Sequence, residues 1–470
     1  MSESDRSVAI VGGGLAGLAA AVALSRRGPR VVLFEARRRL GGRAASFADA
    51  ATGESVDYCQ HISMGCCTNL EDFCNRTQTA DLFRRDRVLH LFTRDGRCSR
   101  LSGSRMLPAP LHLAPSLLRL HFLSWGERLG IGRAMLLLAR SRPAELAGQT
   151  VQGWLTAHGQ SRRAVDRFCG AVLVSALGES VERSSMMHAQ KVFVDAYLSA
   201  AKAYELYVPR VSLAELYDAR IAGWLAQAGV EICLGTSVER VELSGNRARL
   251  SCGQRAHEFD AVILSVPWQR VRQILAPELD DALPELAGVE QIDVAPITGV
   301  HLWFDRPVTE LAHAALVDML GQWLFRRTDL DEGRAKNEYY YQVVISASRD
   351  LAGRDRAAVI AEIGDELRDV WPAAREAKLL RWKMVTDPAA VFSVRPGIES
   401  LRPPQASSVG LLFLAGDWTK TDWPATMEGA VRSGYLAAEG VLRKFGLPAD
   451  LLVADLPRSW LARALIGPSR

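Results

Sequence analysis

The feature that most limits how this chain can fold lies at its start, where residues 7–42 read SVAIVGGGLAGLAAAVALSRRGPRVVLFEARRRLGG. An apolar run at 8–11 enters Gly12, Gly13, Gly14 and Gly17, then continues as an alanine-rich helical stretch that stops at Gly28 and Pro29. A second apolar run, 31–34, ends on Glu35. Strand, glycine turn, helix and strand in this order form a βαβ nucleotide-binding unit, and a parallel sheet grows from such a unit.

The glycines have separate tasks. Gly12 permits the tight turn, Gly14 lets the backbone come close to a pyrophosphate, and Gly17 lets the helix pack on the strands. The helix opens at Leu15 and Ala16, so its unpaired N–H groups and the positive end of its dipole face the phosphates. Glu35, followed by Ala36, is placed to accept hydrogen bonds from a ribose diol. An acid here disfavours a 2′-phosphate, so FAD or NAD is expected rather than NADP. Gly41, Gly42 and Arg43 come next, and a GGR turn offers backbone N–H groups and one guanidinium to a diphosphate. The alternative for that turn is a basic surface loop.

At 470 residues the chain has room for two or three domains with sizeable cores. Its net charge of +4 comes from scattered residues, mostly arginine on the basic side, which leaves no footprint for a nucleic acid. The eight cysteines follow neither a zinc nor a CxxC spacing, so no metal is expected and the thiols read as reduced, in a cytoplasmic setting. With the fingerprint beginning almost at the amino terminus, no cleaved signal peptide is expected before it.

Residues 55–69, SVDYCQHISMGCCTN, are polar and small, and read as a loop that gathers Asp57, Gln60 and His61. His61 is either functional or a hydrogen-bonded structural histidine. Residues 106–138 are rich in leucine but are broken by three prolines and by arginines, too interrupted for a membrane-spanning helix. They form either a buried helical subdomain or an interfacial patch whose arginines snorkel. Helices are expected over 149–203, with a bend near 182–187, and Ser212 is expected to cap another that Gly229 closes. Strands follow at 230–234, 238–243, 247–252 and 260–266, the last apolar throughout, as in a parallel sheet buried on both faces. A second, mixed sheet is expected from 295–304, 339–346 and 378–385, with a helix over 356–370. Near the carboxyl end, 411–440 gives a buried strand ending at Gly416 and Asp417, a loop, and a helix from about Ala425. Asp417 at that strand end can accept ribityl hydroxyls, and the helix start can face an electron-accepting ring.

VGGGLAGLAAA with LFEA and LGGR, together with LFLAGDW and MEGAVRSG, resemble the FAD-dependent amine oxidase and phytoene desaturase superfamily. Within it, DYCQHISMGCCTN and GDWTKTDWPATMEGAVRSGYLAA resemble the squalene-associated desaturases, or hydroxysqualene dehydroxylases. The resemblance implies an α/β fold with a Rossmann-type FAD-binding domain drawn from residues 1–65, 211–275 and 401–445. It also implies a mainly helical, apolar insertion at 66–210, a mixed-sheet substrate domain at 276–400 and a tail at 446–470. It implies FAD contacts at the fingerprint residues and at Gln60, His61, Val238, Gly416, Asp417, Met427 and Glu428. Two positions depart from the pattern: Cys59 stands where glycine commonly precedes Gln-His, and Asp422 where the turn usually carries glycine.

The implied reaction is reductive removal of the allylic hydroxyl of hydroxysqualene, a long-chain isoprenoid, to give squalene. His61 is the candidate acid or proton relay and Asp422 the second candidate, which is alternatively a turn residue. One dinucleotide fingerprint leaves no second site for a nicotinamide, so an external electron donor is expected. The alternatives are a carotenoid or phytoene-type desaturase, a flavin amine oxidase, or a non-catalytic isoprenoid-binding flavoprotein. Peripheral contact with the inner face of the cytoplasmic membrane through 106–138 goes with the interfacial reading.

Overall fold

The computed structural model describes residues 6–49, 52–53, 55–327 and 338–467. Residues 1–5 of the expected first FAD-binding segment, 328–337 of the expected substrate domain and 468–470 of the tail lie outside the described residues.

The opening unit folds as its pattern requires. Strand β1 (Ser7–Val11) is buried along its whole length, α1 (Leu15–Leu24) follows the glycine turn, and β2 (Arg30–Glu35) lies parallel to β1. Strands β3 (Glu231–Leu234), β4 (Ala261–Leu264) and β5 (Leu412–Leu414) join them in a parallel sheet of order β3-β2-β1-β4-β5. Neighbouring strands come from distant stretches because parallel pairing demands crossover connections, and the long ones here hold the other parts of the molecule. Helix α1 is buried on every side, since it lies between this sheet and a long carboxyl-terminal helix, 427–444. Small residues make that contact possible: a Cβ on Gly434 would sit 2.2 Å from the Ala16 carbonyl oxygen.

The second sheet has seven strands in the order Leu379–Phe392, Val294–Phe304, Tyr339–Ser346, Trp323–Arg326, His313–Leu316, Leu89–Phe92 and Cys98–Leu101. It is antiparallel except where His313–Leu316 meets Leu89–Phe92. Helix Arg356–Val370 buries Val359, Ile363 and Leu367 against Val300, Leu302 and Val343 of one face. The strand expected at 378–385 runs on to Phe392, and an unexpected strand, Arg255–Phe259, completes a three-stranded meander with Arg240–Ser244 and Arg247–Cys252. Residues 55–69 were expected to be a loop but contain short strands Ser55–Asp57 and Ser63–Met64, and Thr68 opens helix α2 (Thr68–Arg76). Their alternation is too short to read in sequence, and pairing with Ser46–Ala48 and Leu206–Pro209 supplies the stability.

The stretch 106–138 is buried in part and exposed in part. Its main element, α3 (Trp125–Arg140), starts at a capping box of Ser124 and Glu127 and buries Ile131, Ala134, Met135 and Leu138. Met106, Leu111, Leu118, Trp125 and Leu129 stay exposed. Among the described residues no helix is long and apolar enough to cross a membrane. The carboxyl-terminal helix α4 (Met427–Lys444) begins two residues later than expected, because Thr426 is its N-cap and accepts from the Gly429 N–H at 3.1 Å. The expected tail carries one further helix, α5 (Trp460–Ile466).

Candidate functional site

At the carboxyl ends of β1 and β2 the chain builds a cradle out of backbone. Gly12 has φ +112°, and a Cβ there would meet the Ser265 carbonyl oxygen at 2.8 Å. One on Gly17 would lie 2.0 Å from the Gly12 carbonyl oxygen, so both glycines are demanded by packing. Gly14 differs: a Cβ there would meet only the Gly42 Cα, at 3.9 Å. Its missing side chain therefore leaves open space, at the uncapped start of α1 where Leu15 and Ala16 begin the helix. Gly41 and Gly42, at φ +89° and +63°, close on the same turn, and the Gly41 N–H donates to the Gly13 carbonyl at 2.9 Å. An open floor of glycine beside free helix N–H groups fits the pyrophosphate of a dinucleotide such as FAD.

Glu35 sits at the end of β2 with Ala36 exposed beyond it. Its carboxylate accepts from the Gly13 N–H at 2.7 Å and the Arg37 N–H at 2.8 Å, which aims it over the turn. The Thr236 N–H donates to the Glu35 carbonyl at 2.9 Å, so the segment leading to buried Val238 runs alongside. Val238 itself lies just before the strand expected to contain it, which starts at Arg240.

Two residues 374 positions apart meet beside the cradle. Arg43 Nη2 donates to Asp417 Oδ1 at 2.5 Å, and its Nη1 donates to the Ala390 carbonyl at 2.8 Å. Asp417 is buried, while the Arg43 side chain remains 37% exposed. The N–H of Gly416, at φ +144°, donates to Ser433 Oγ at 2.8 Å. The turn after it is held by a residue that no sequence motif marks. Arg402, fully buried, donates from Nη2 to the carbonyls of Asp417 and Thr419 and to Thr421 Oγ1, and from Nη1 to Glu399 at 2.6 Å. Glu399 also binds His188 Nε2 at 3.0 Å, and although burial opposes its charge, His188 and Arg402 outweigh that and hold its carboxyl down to about 2. Asp422 is exposed and has φ +59°, the left-handed conformation expected of the glycine it replaces.

His61 and Met427, from opposite ends of the sequence, line one apolar crevice with Phe73, Leu213 and Tyr217. His61 Nδ1 donates to the Cys59 carbonyl at 2.9 Å, because a carbonyl can only accept. Burial lowers the imidazole pKa below its ordinary value, and the Cys59 bond opposes that only in part. The ring is thus neutral near pH 7, with the lone pair on Nε2. Cys59 is not among the described non-glycine residues with positive φ, so it keeps an ordinary backbone, and burial pushes its thiol up to about 12. Gln60 is buried and accepts from Arg327 Nη1 at 2.7 Å, while Arg327 Nη2 binds Asp57 Oδ2 at 2.5 Å. Glu428 is fully buried: its oxygens accept from the N–H groups of Asn69 and Leu70, capping α2, and burial raises its pKa. Its carboxylate thus fastens α4 to α2. No group of three histidine, cysteine or acidic side chains among the described residues is placed to hold a metal ion, and all eight thiols are free.

Known proteins resemble this chain along nearly its whole length. The profile of the family described as flavin containing amine oxidoreductase matches residues 15–442. The 15-cis-phytoene desaturase of Solanum lycopersicum is 26% identical, over 94% of this chain and 78% of its own length. The hydroxysqualene dehydroxylase of Rhodopseudomonas palustris is 28% identical, over 93% of this chain and 99% of its own. Among solved structures, cyclohexylamine oxidase from Brevibacterium oxydans superposes with a TM-score of 0.68 at 19% identity, over 94% of this chain and 99% of that one. An oxidoreductase from Methanosarcina mazei does so with 0.70 at 17%, over 93% and 100%. The chain belongs to the flavin-containing amine oxidoreductase family, as an FAD-dependent oxidoreductase.

Proposed function

We propose that this protein removes the allylic hydroxyl of hydroxysqualene to give squalene, drawing electrons from an external donor. The observation that carries the reading is the end-to-end similarity to a hydroxysqualene dehydroxylase, at 28% identity over 99% of that protein. When bound, FAD supplies the two-electron transfer, and the protein must do the rest. In this reading the glycine floor at Gly12, Gly14 and Gly42 receives the pyrophosphate, Glu35 the ribose, and Arg43 with Asp417 the chain between pyrophosphate and ring. His61 and Met427 come together on one apolar crevice from opposite ends of the sequence. Hydroxide leaves poorly, so a proton must reach the departing oxygen, and His61, through Nε2, is the candidate for that transfer. Asp422, exposed in its turn, serves the backbone instead. A substrate of this kind resides in bilayers, so the reading includes peripheral contact of 106–138 with the cytoplasmic face of a membrane.

A second reading has an observation of its own. A neutral His61 near pH 7 is a proton acceptor, which suits desaturation of a phytoene-like chain, the reaction class named for several relatives. The deciding experiment is anaerobic. Protein with dithionite-reduced flavin is mixed with hydroxysqualene, and oxidised protein with phytoene. Squalene formation with flavin reoxidation supports the first reading; flavin bleaching by phytoene with no squalene in the other arm overturns it.

A further inference from the structure

Exposed apolar side chains are gathered at one place on this molecule. Of the twelve large apolar residues exposed among the described residues, seven fall within 106–137 and an eighth is Trp460, 66% exposed on α5. These segments touch. Ser459 Oγ donates to the Ala109 carbonyl, which sets the start of α5 beside the 106–111 loop. Arg140 Nε donates to the Leu465 carbonyl at 2.8 Å, and Ala139 packs with Ala462 and Ile466, which sets its end beside α3. Arg128 bonds the Leu118 carbonyl at 2.8 Å and lies 4.7 Å over the Trp125 ring, closing the face on its other side. Leu129 stands one turn beyond Trp125 on the same stripe.

The charges on this face have one sign. Residues 105–140 hold five arginines and a single acid, Glu127. That acid is spent internally: it accepts from Arg163 at 2.7 Å, from Ser161 at 2.6 Å and from the Ser124 N–H at 2.7 Å. Arg105, Arg119, Arg133 and Arg140 are exposed, and Arg463 of α5 adds a fifth cation. A second copy of the chain would bring the same cations against them, whereas an anionic bilayer complements both the charge and the tryptophan, leucine and methionine tips.

We infer that α5 and the 106–140 segment form one docking face for an anionic phospholipid leaflet, with Trp125, Leu129 and Trp460 entering the headgroup boundary and the arginines at phosphate level. The inference rests on the isoprenoid reading only for its purpose; its geometry stands without it. The test uses flavin-loaded full-length protein floated with vesicles of phosphatidylcholine alone or mixed with phosphatidylglycerol. Wild type floats with the mixed vesicles, and less so as salt rises. Leu129→Glu with Trp460→Glu lowers partitioning at least about tenfold, and so does Arg105→Glu with Arg133→Glu, without changing Tm or flavin content, since all four side chains are exposed. Failure of wild type to float, or unchanged flotation of the variants, overturns the inference. So does a concentration-dependent wild-type dimer that the first variant abolishes, because a second copy then covers the face. Turnover of detergent-dispersed hydroxysqualene is measured on the same preparations. Turnover without flotation removes the docking face alone, and flotation without turnover removes the dehydroxylase reading alone.

Discussion

The imidazole of His61 donates from Nδ1 to Cys59 and is held below its ordinary pKa by burial, so whichever proton it handles passes through Nε2. The sign of the pH dependence then separates the two chemistries. If His61 delivers a proton to a leaving hydroxyl, turnover rises as pH falls through a pKa below 6.5, because only the cation can give one up. If it accepts a proton, turnover rises with pH through the same pKa. His61→Gln flattens that limb in either case, and a variant that keeps the wild-type pH profile with flavin bound would remove His61 from the chemistry. Arg402 acts at one remove, since its guanidinium holds the turn bearing Asp417 through two carbonyls and a hydroxyl. Lysine cannot reproduce that fork. Arg402→Lys is expected to weaken flavin binding at least about tenfold, read by fluorescence titration of apoprotein. A loss of Tm with unchanged flavin affinity would show Arg402 to be structural only.

At the scale of elements, the nucleotide unit could be read almost residue by residue, because glycines at fixed offsets, apolar strands and a terminal acid are local signals. Helix α4 was placed to within two residues for the same reason. Segments stabilised by partners far away were not legible: Ser55–Asp57 and Ser63–Met64 owe their strand conformation to pairing, and α5 is a short helix docked on α3. The loop ahead of α3 holds a further surprise. His112 is fully buried with neither ring nitrogen bonded, its ring centroid 5.8 Å from that of Tyr204, and burial lowers its pKa to about 4. Above pH 6.5 both folded and unfolded states are neutral there; between 6.5 and about 4 only the unfolded state binds the proton. Stability is therefore lost as pH falls through that window, by up to about 3 kcal/mol from this group. His112→Leu should unfold in urea with a shallower pH dependence than wild type, and parallel curves for the two proteins would refute the assignment.

Across the whole molecule, the site is an assembly of stretches that only the fold brings together. Arg43 and Asp417 were each picked out by their own motifs, but their mutual ion pair belongs to neither. Arg327 carried no signal at all, since one arginine at a strand end has no periodicity to betray it. Yet it ties two parts of the molecule together: it directly follows strand Trp323–Arg326 of the seven-stranded sheet, where its N–H donates to the Tyr340 carbonyl at 2.8 Å, and its guanidinium binds Asp57 and Gln60 of the segment that continues into His61. Both members of the Arg327–Asp57 pair are buried, with side chains 5% and 2% exposed, and Asp57 also accepts from Ser46 Oγ at 2.6 Å and from the Leu213 N–H at 2.9 Å. Such a pair contributes less to stability than it costs when halved. Asp57→Leu removes one member of a buried ion pair and should lower the unfolding free energy by about 3 to 5 kcal/mol. Asp57→Leu with Arg327→Met removes both charges and should recover a large part of that loss, giving a coupling energy well outside additivity in a double-mutant cycle. The same cycle read by flavin affinity tests whether the pair serves the site as well as the fold: the double variant folds without the contact that orients Gln60, so it should stay deficient in flavin binding even where stability returns. Equal stability losses in the single and double variants would mean that the pair adds nothing to the fold beyond the separate contacts of its two members.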